Sequence, residues 1–93
     1  MVSEEIIRAD ILAIYKAMAD ALRRETSTIS ESTRIWEDLR FTVPIREAMS
    51  DPLSSYCSQY GAKRILRSEA KGFKKIKNAA DKVLKNIKAA KEG

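Results

Sequence analysis

Residues 71–93 read KGFKKIKNAADKVLKNIKAAKEG, and the architecture turns on whether this stretch continues one long helix and what lies along it. With Leu66, Phe73, Ala80 and Ile87 at heptad position a, Glu69, Ile76, Val83 and Ala90 fall at d, beside Ile65, Gly72 and Ala79. That spacing predicts a helix from about Ala62 to Lys91, a rod of roughly 45 Å at 1.5 Å per residue. Gly72 costs a helix interior about 1 kcal/mol relative to alanine and is the candidate bend. A narrow apolar stripe on so long a rod needs a partner along its length, and the N-terminal helix is the obvious one.

That first helix is written in Ile7, Ile11, Ile14, Tyr15, Met18, Ala21 and Leu22, which recur at spacings of three and four. Ser3 serves as N-cap, and Glu4 and Glu5 occupy the first turn, where the macrodipole favours acids. The following TSTISEST, residues 26–33, is rich in side chains that compete for backbone hydrogen bonds and suit turns or caps. It leaves two readings open. Thr28 with Glu31 fits a capping box that starts a second helix through Ile35, Trp36 and Leu39. Alternatively, Tyr15, Leu22, Ile29 and Trp36 lie seven residues apart on one unbroken helix from residue 3 to about 40. Trp36 is assigned to the core.

Both prolines fall in FTVPIREAMSDPLSSYCSQYG, residues 41–61, which must turn the chain. A short helix is expected over Pro44 to Met49 and another from Pro52 towards Tyr60, with Asp51 as N-cap and proline at the first helical position. A helix-turn-helix here is disfavoured, because Gly61 ends the second helix instead of forming the turn. Nothing alternates long enough for a strand, and no Asn-Gly or Asp-Gly hairpin turn occurs. The expected fold is all-α: an antiparallel long-helix hairpin or small helical bundle with a short-helix turn region around 41–61. It forms one domain, 1–93, with an acidic helical half, 1–60, and a basic C-terminal helix, 62–91.

Composition narrows the chemistry. Ninety-three residues bury little core to divide, and 44% hydrophobic with 33% charged content is that of a globular chain. The chain has no histidine, which removes the commonest general base and metal ligand, and Cys57 is its single cysteine. Three isolated glycines cannot write a phosphate-cradling loop. The acid pairs Glu4 with Glu5, Glu37 with Asp38 and Glu47 with Asp51 read as surface charge, and Cys57 as a small, partly buried residue. The expectation is a non-enzymatic protein with no catalytic residues, metal, cofactor or small-molecule substrate. No apolar run approaches the roughly 18 residues of a membrane span, and MVSEEIIRAD carries acids where a signal peptide is basic. A cytoplasmic or intravirion protein is expected.

The charge is unevenly placed. Residues 1–60 hold seven Lys/Arg against ten Asp/Glu, and residues 61–93 hold eleven against three, within a net +5. On the heptad wheel Arg64, Arg67, Lys71, Lys74, Lys75, Lys82, Lys85 and Lys88 face outward, with Asp81 the main acid among them. Like charges three or four apart weaken a helix by a few tenths of a kcal/mol each, so a one-signed face points to an anion laid against it. The leading expectation is a homo-oligomer that neutralises nucleic-acid phosphates without reading sequence, in a structural or packaging role. Tyr56 and Tyr60, spaced with Arg64 and Arg67 by four, four and three, offer rings for stacking on unpaired bases; the plainer reading packs both into the turn. The alternative is a module for an acidic protein or an anionic membrane, with an immunity or regulatory role. On a membrane, Phe73, Ile76, Val83, Leu84 and Ile87 would enter the headgroups. The plainest reading is a solvated face. A docking role requires that the lysines not be consumed in ion pairs with the acidic half.

Overall fold

The computed structural model describes residues 3–92. Within it the chain forms five α-helices: α1 (Glu4–Ala21), α2 (Val43–Ala48), α3 (Ser50–Ser58), α4 (Arg67–Gly72) and α5 (Ile76–Glu92). Among the described residues the only β pairing is an isolated antiparallel bridge between Arg34 and Lys75. The fold is a small all-α helical bundle, as expected.

α1 begins as its sequence dictates, with Ser3 Oγ accepting the Ile6 N–H at 3.2 Å and Glu4 and Glu5 in the first turn. Ile7, Ile11, Tyr15 and Ala19 bury one face at four-residue spacing. Its end overturns both readings of residues 22–40. Arg23 adopts φ 60°, and its N–H donates to Asp20 O at 2.9 Å while Arg24 N–H donates to Ala19 O at 2.8 Å. These are the paired bonds of a Schellman terminus, and they stop the helix at Ala21, about two turns before the Thr28 capping box. Residues 22–42 contain no helix, only turns, irregular stretches and the Arg34 bridge. Trp36 consequently leaves the Tyr15–Leu22–Ile29 stripe and is 43% exposed, a correction to its assignment as core.

The continuous rod from Ala62 to Lys91 is likewise replaced by two helices. Residues 62–66 are irregular, α4 ends at Gly72, and Phe73 is extended, with φ −67° and ψ 125°. The break is held from outside. Ile35 N–H donates to Lys74 O at 2.8 Å, Ile76 N–H to Thr33 O at 3.2 Å and Lys77 N–H to Glu31 O at 2.9 Å. Carbonyls of residues 31 and 33 thus satisfy first-turn donors of α5 that have no partner inside the helix. Asn78 Oδ1 also accepts the Lys75 N–H at 2.9 Å.

α2 and α3 meet at Met49, whose helical angles nearly join them. α3 starts at Ser50, earlier than the Asp51 N-cap expected. It ends at Ser58, and a turn over residues 59–61 closes on the expected Gly61, with φ 64°, where Gly61 N–H donates to Ser58 O and Ala62 N–H to Cys57 O.

α1 packs along α5, α2 along α4, and α3 touches all four. Glu4 pairs with Lys88 and Arg8 with Asp81, so α1 and α5 run antiparallel. Arg8 also holds Glu31, tying the turn segment to both helices. The buried residues form one cluster in which Ile11, Tyr15, Phe41, Leu53, Ile76 and Val83 have no exposed surface, and the Tyr15 and Phe41 rings stack at 6.4 Å. A radius of gyration of 12.5 Å matches the roughly 12 Å expected of a folded chain this long. α3 and residues 29–41 contribute buried side chains to the same cluster as α1 and α5. Among the described residues no helix is long and apolar enough to cross a membrane.

Candidate nucleic-acid interface

The one-signed face divides into a partnered part and an open part. On α5, Lys82 Nζ lies 3.0 Å from Glu69 Oε2 and Lys88 Nζ 3.4 Å from Glu4 Oε1. Arg67 reaches Asp51 only at 3.9 Å, with both side chains well exposed. Arg64, Lys71, Lys74, Lys75 and Lys85 are exposed and have no carboxylate within ion-pair distance among the described residues. Lys85 lies beside α1, in a cleft it shares with Glu4, Arg8 and Asp81, and Arg64 lines a separate cleft with Ser50 and Ser54. Lys71, Lys74 and Lys75 cluster where α4 breaks into α5.

Tyr56 and Tyr60 do not join this face. Tyr56 is 8% exposed and its hydroxyl donates to Asp10 Oδ2 at 2.7 Å, with the Tyr60 ring 5.4 Å away. Burial, then the contacts with Tyr60 and Asp10, push the Tyr56 phenol far above its ordinary range. Tyr56 is therefore withdrawn as a stacking residue, and Tyr60 is half-buried beside it. The ring that is offered to solvent belongs to Trp36.

Trp36 reaches the α4–α5 junction because a helical turn over residues 34–39 carries it there. Asp38 Oδ2 accepts the Arg34 N–H at 2.8 Å, Arg40 N–H donates to Trp36 O at 2.9 Å, and Arg40 adopts φ 57°, closing the turn as a left-handed cap. Ile35, Leu39 and Phe41 bury on the inner side, so the turn is anchored while Trp36 points away from the core. The bond from Ile35 N–H to Lys74 O sets the turn beside the lysines.

α2 supplies the rest. Arg46 Nη1 donates to Lys71 O at 3.4 Å, and its Cζ lies 5.9 Å from the Trp36 ring centroid, while Arg40 Cζ lies 5.5 Å from it. Both are within cation–π range. Arg46 Nε is buried with no acceptor among the described residues. Trp36, Arg46, Lys71, Phe73 and Lys74 line an open cleft of about 380 Å³, in which Glu37 is the one acid. The cleft thus joins two of the predicted lysines, Lys71 and Lys74, to Trp36 and Arg46, with Arg40 over the same ring; none of these three was singled out from the sequence as a binding residue. The spacing of Trp36 and Arg40 was visible as four residues; Arg46 arrives only through the packing of α2 on α4.

Other chemistry is sparse. Cys57 is fully buried, and desolvation followed by the nearby Glu69 charge pushes its thiol up, which makes it an inert core residue. The side chains intended for a membrane headgroup layer are committed inward: Ile76, Val83, Leu84 and Ile87 are all buried and Phe73 is half-buried. Among the described residues no three His, Cys, Asp or Glu side chains converge to hold a metal ion. Compared with protein-family models, curated proteins and solved structures, the chain matches none of them.

Proposed function

We propose that this protein is a non-enzymatic nucleic-acid-binding protein that holds the phosphate backbone without regard to base sequence. The binding surface is the α4–α5 junction, with Lys71, Lys74 and Lys75 at its centre, Arg40 and Arg46 beside them, and Arg64 and Lys85 on more distant surfaces. The observation that carries the reading is that Arg46, Lys71 and Lys74, none of them in an ion pair among the described residues, line one cleft in which Glu37 is the one acid, with Lys75 next in sequence and Arg40 over the same Trp36 ring. Lysine suits the task because it acts as a point charge without fixed geometry. Lys82 and Lys88, already neutralised by Glu69 and Glu4, are peripheral to it.

An anionic membrane is the weaker partner. Its headgroup anchors would have to come out of the core, and the exposed apolar residues Ile6, Val43 and Leu66 lie on different elements of the fold.

Labelled DNA titrated at two salt concentrations tests the proposal. Affinity should fall steeply with salt, with a logarithmic slope of about 0.9 for each phosphate contacted. Replacing Lys71, Lys74 and Lys75 together by glutamine should lower that slope by about 2 to 3, with circular dichroism unchanged. Absent binding, or binding indifferent to salt, would refute it.

A further inference from the structure

We infer that the nucleic acid is single-stranded, and that Trp36 stacks on an unpaired base while Arg46, Lys71 and Lys74 hold the flanking phosphates. This deepens the reading above and rests on it. An indole is among the most costly side chains to leave in water, yet Trp36 stays 43% exposed between Ile35 and Leu39, which are both buried. The neighbours hold the backbone that carries the ring, so that it does not fold inward. Ile35 is held through its amide to Lys74, and the turn is closed by the left-handed Arg40. A rigid platform of this kind loses little conformational freedom when a flat ligand settles on it.

Arg40 and Arg46 lie over the ring at 5.5 and 5.9 Å from its centroid, near the outer limit of cation–π contact, so a base that settles on Trp36 displaces a weakly held guanidinium towards its own phosphate. Arg46 also carries the Nε donor without an acceptor, and a reorientation towards a phosphate would satisfy it. Lys71 and Lys74 line the same cleft as the ring, so a base on Trp36 brings its own phosphates to two ammonium groups. Aromatic stacking flanked by cations is how sequence-tolerant proteins hold single strands, since every base has a π-face. Paired bases are stacked on each other and offer no face to an indole. The duplex therefore receives only the lysine contacts.

Trp36 is the chain's only tryptophan, so its fluorescence reports the contact directly. The full chain would be titrated with oligothymidylate, with a duplex of equal length and with inorganic polyphosphate, which has charge but no bases. Oligothymidylate should quench Trp36 and bind more tightly than duplex, whereas polyphosphate should bind with little quenching. Trp36→Ala should weaken oligothymidylate binding by about 5- to 150-fold and leave polyphosphate affinity unchanged, and Trp36→Phe should recover part of the loss. Equal affinity for duplex and single strand, or a Trp36→Ala protein that binds oligothymidylate normally, would overturn the inference and leave the phosphate-binding proposal standing. Failure of all three ligands to bind would remove both.

Discussion

Arg23 and Arg40 do the same backbone work for different ends. Each sits in the left-handed region, at φ 60° and 57°, where an L side chain costs about 1 kcal/mol that glycine does not. Arg23 ends α1, and its exposed side chain makes no hydrogen bond or ion pair among the described residues. Arg23→Gly is therefore expected to raise stability by about 0.5–1 kcal/mol in urea unfolding, with nucleic-acid binding altered only by the loss of one charge. Arg40→Gly relieves the same backbone strain but removes a cation from beside Trp36. It should stabilise the fold while weakening oligothymidylate, so the two variants separate strain kept for binding from strain that is incidental. A drop in stability for both would show that the side chains, not the backbone, decide these positions. Neither role is legible from sequence, because the signal that normally marks such a terminus is glycine or asparagine. The same gap explains Trp36: with no visible stop at residue 22, its seven-residue spacing from Tyr15, Leu22 and Ile29 argued for the core.

At the level of elements, short helices and turns are secured by carboxylates. Glu69 accepts the Leu66 N–H at 2.9 Å at the start of α4 and pairs with Lys82 of α5; these two contacts, the backbone one first, hold its carboxyl below the ordinary range. Asp38 is held low by the Arg34 side chain and then by the Arg34 amide, within the turn that carries Trp36. Glu25 is lowered by the Ser27 amide. The folded chain thus binds these protons more weakly than the unfolded chain does. Their contribution is fully present above the unfolded values, near 4.5 for glutamate and 3.8 for aspartate, and is lost as pH falls through the folded ones. Urea midpoints should be flat from neutral pH to about 5 and decline below about 4.5, and Glu69→Gln should make that decline shallower. A midpoint that rises on acidification would contradict the assignment. The elements themselves were partly legible. Ser3 with its following acids, Gly61 and the two prolines announced α1, the end of α3 and the turn region. The α4–α5 break was marked only by Gly72, since the force that opens it comes from residues 31–35, about forty positions away.

For the molecule as a whole, the expected pairing of an acidic front with a basic rear is real but partial. Glu4–Lys88 and Arg8–Asp81 stitch α1 to α5, and exposed pairs of this kind contribute only about 0.2–1 kcal/mol each. The hydrophobic cluster does most of the holding, and it closes within one copy because α3 spans the other helices. Light scattering after size exclusion tests the expected homo-oligomer: a mass of two or more 10.5 kDa chains would bear it out, and a single chain would remove it. Net charge and the lysines at 71, 74 and 75 could be read from the sequence; their companions Arg40, Arg46 and Trp36 could not, because packing alone assembles them. The clasp between residues 31–35 and the start of α5 has a further consequence. Its bonds run from main chain to main chain, so apart from the buried Ile35 and Ile76 and the Glu31–Arg8 pair its hold depends more on backbone register than on side-chain identity. An inserted or deleted residue there would shift every carbonyl out of register. Evolutionary drift in this stretch should therefore change its letters more readily than its length.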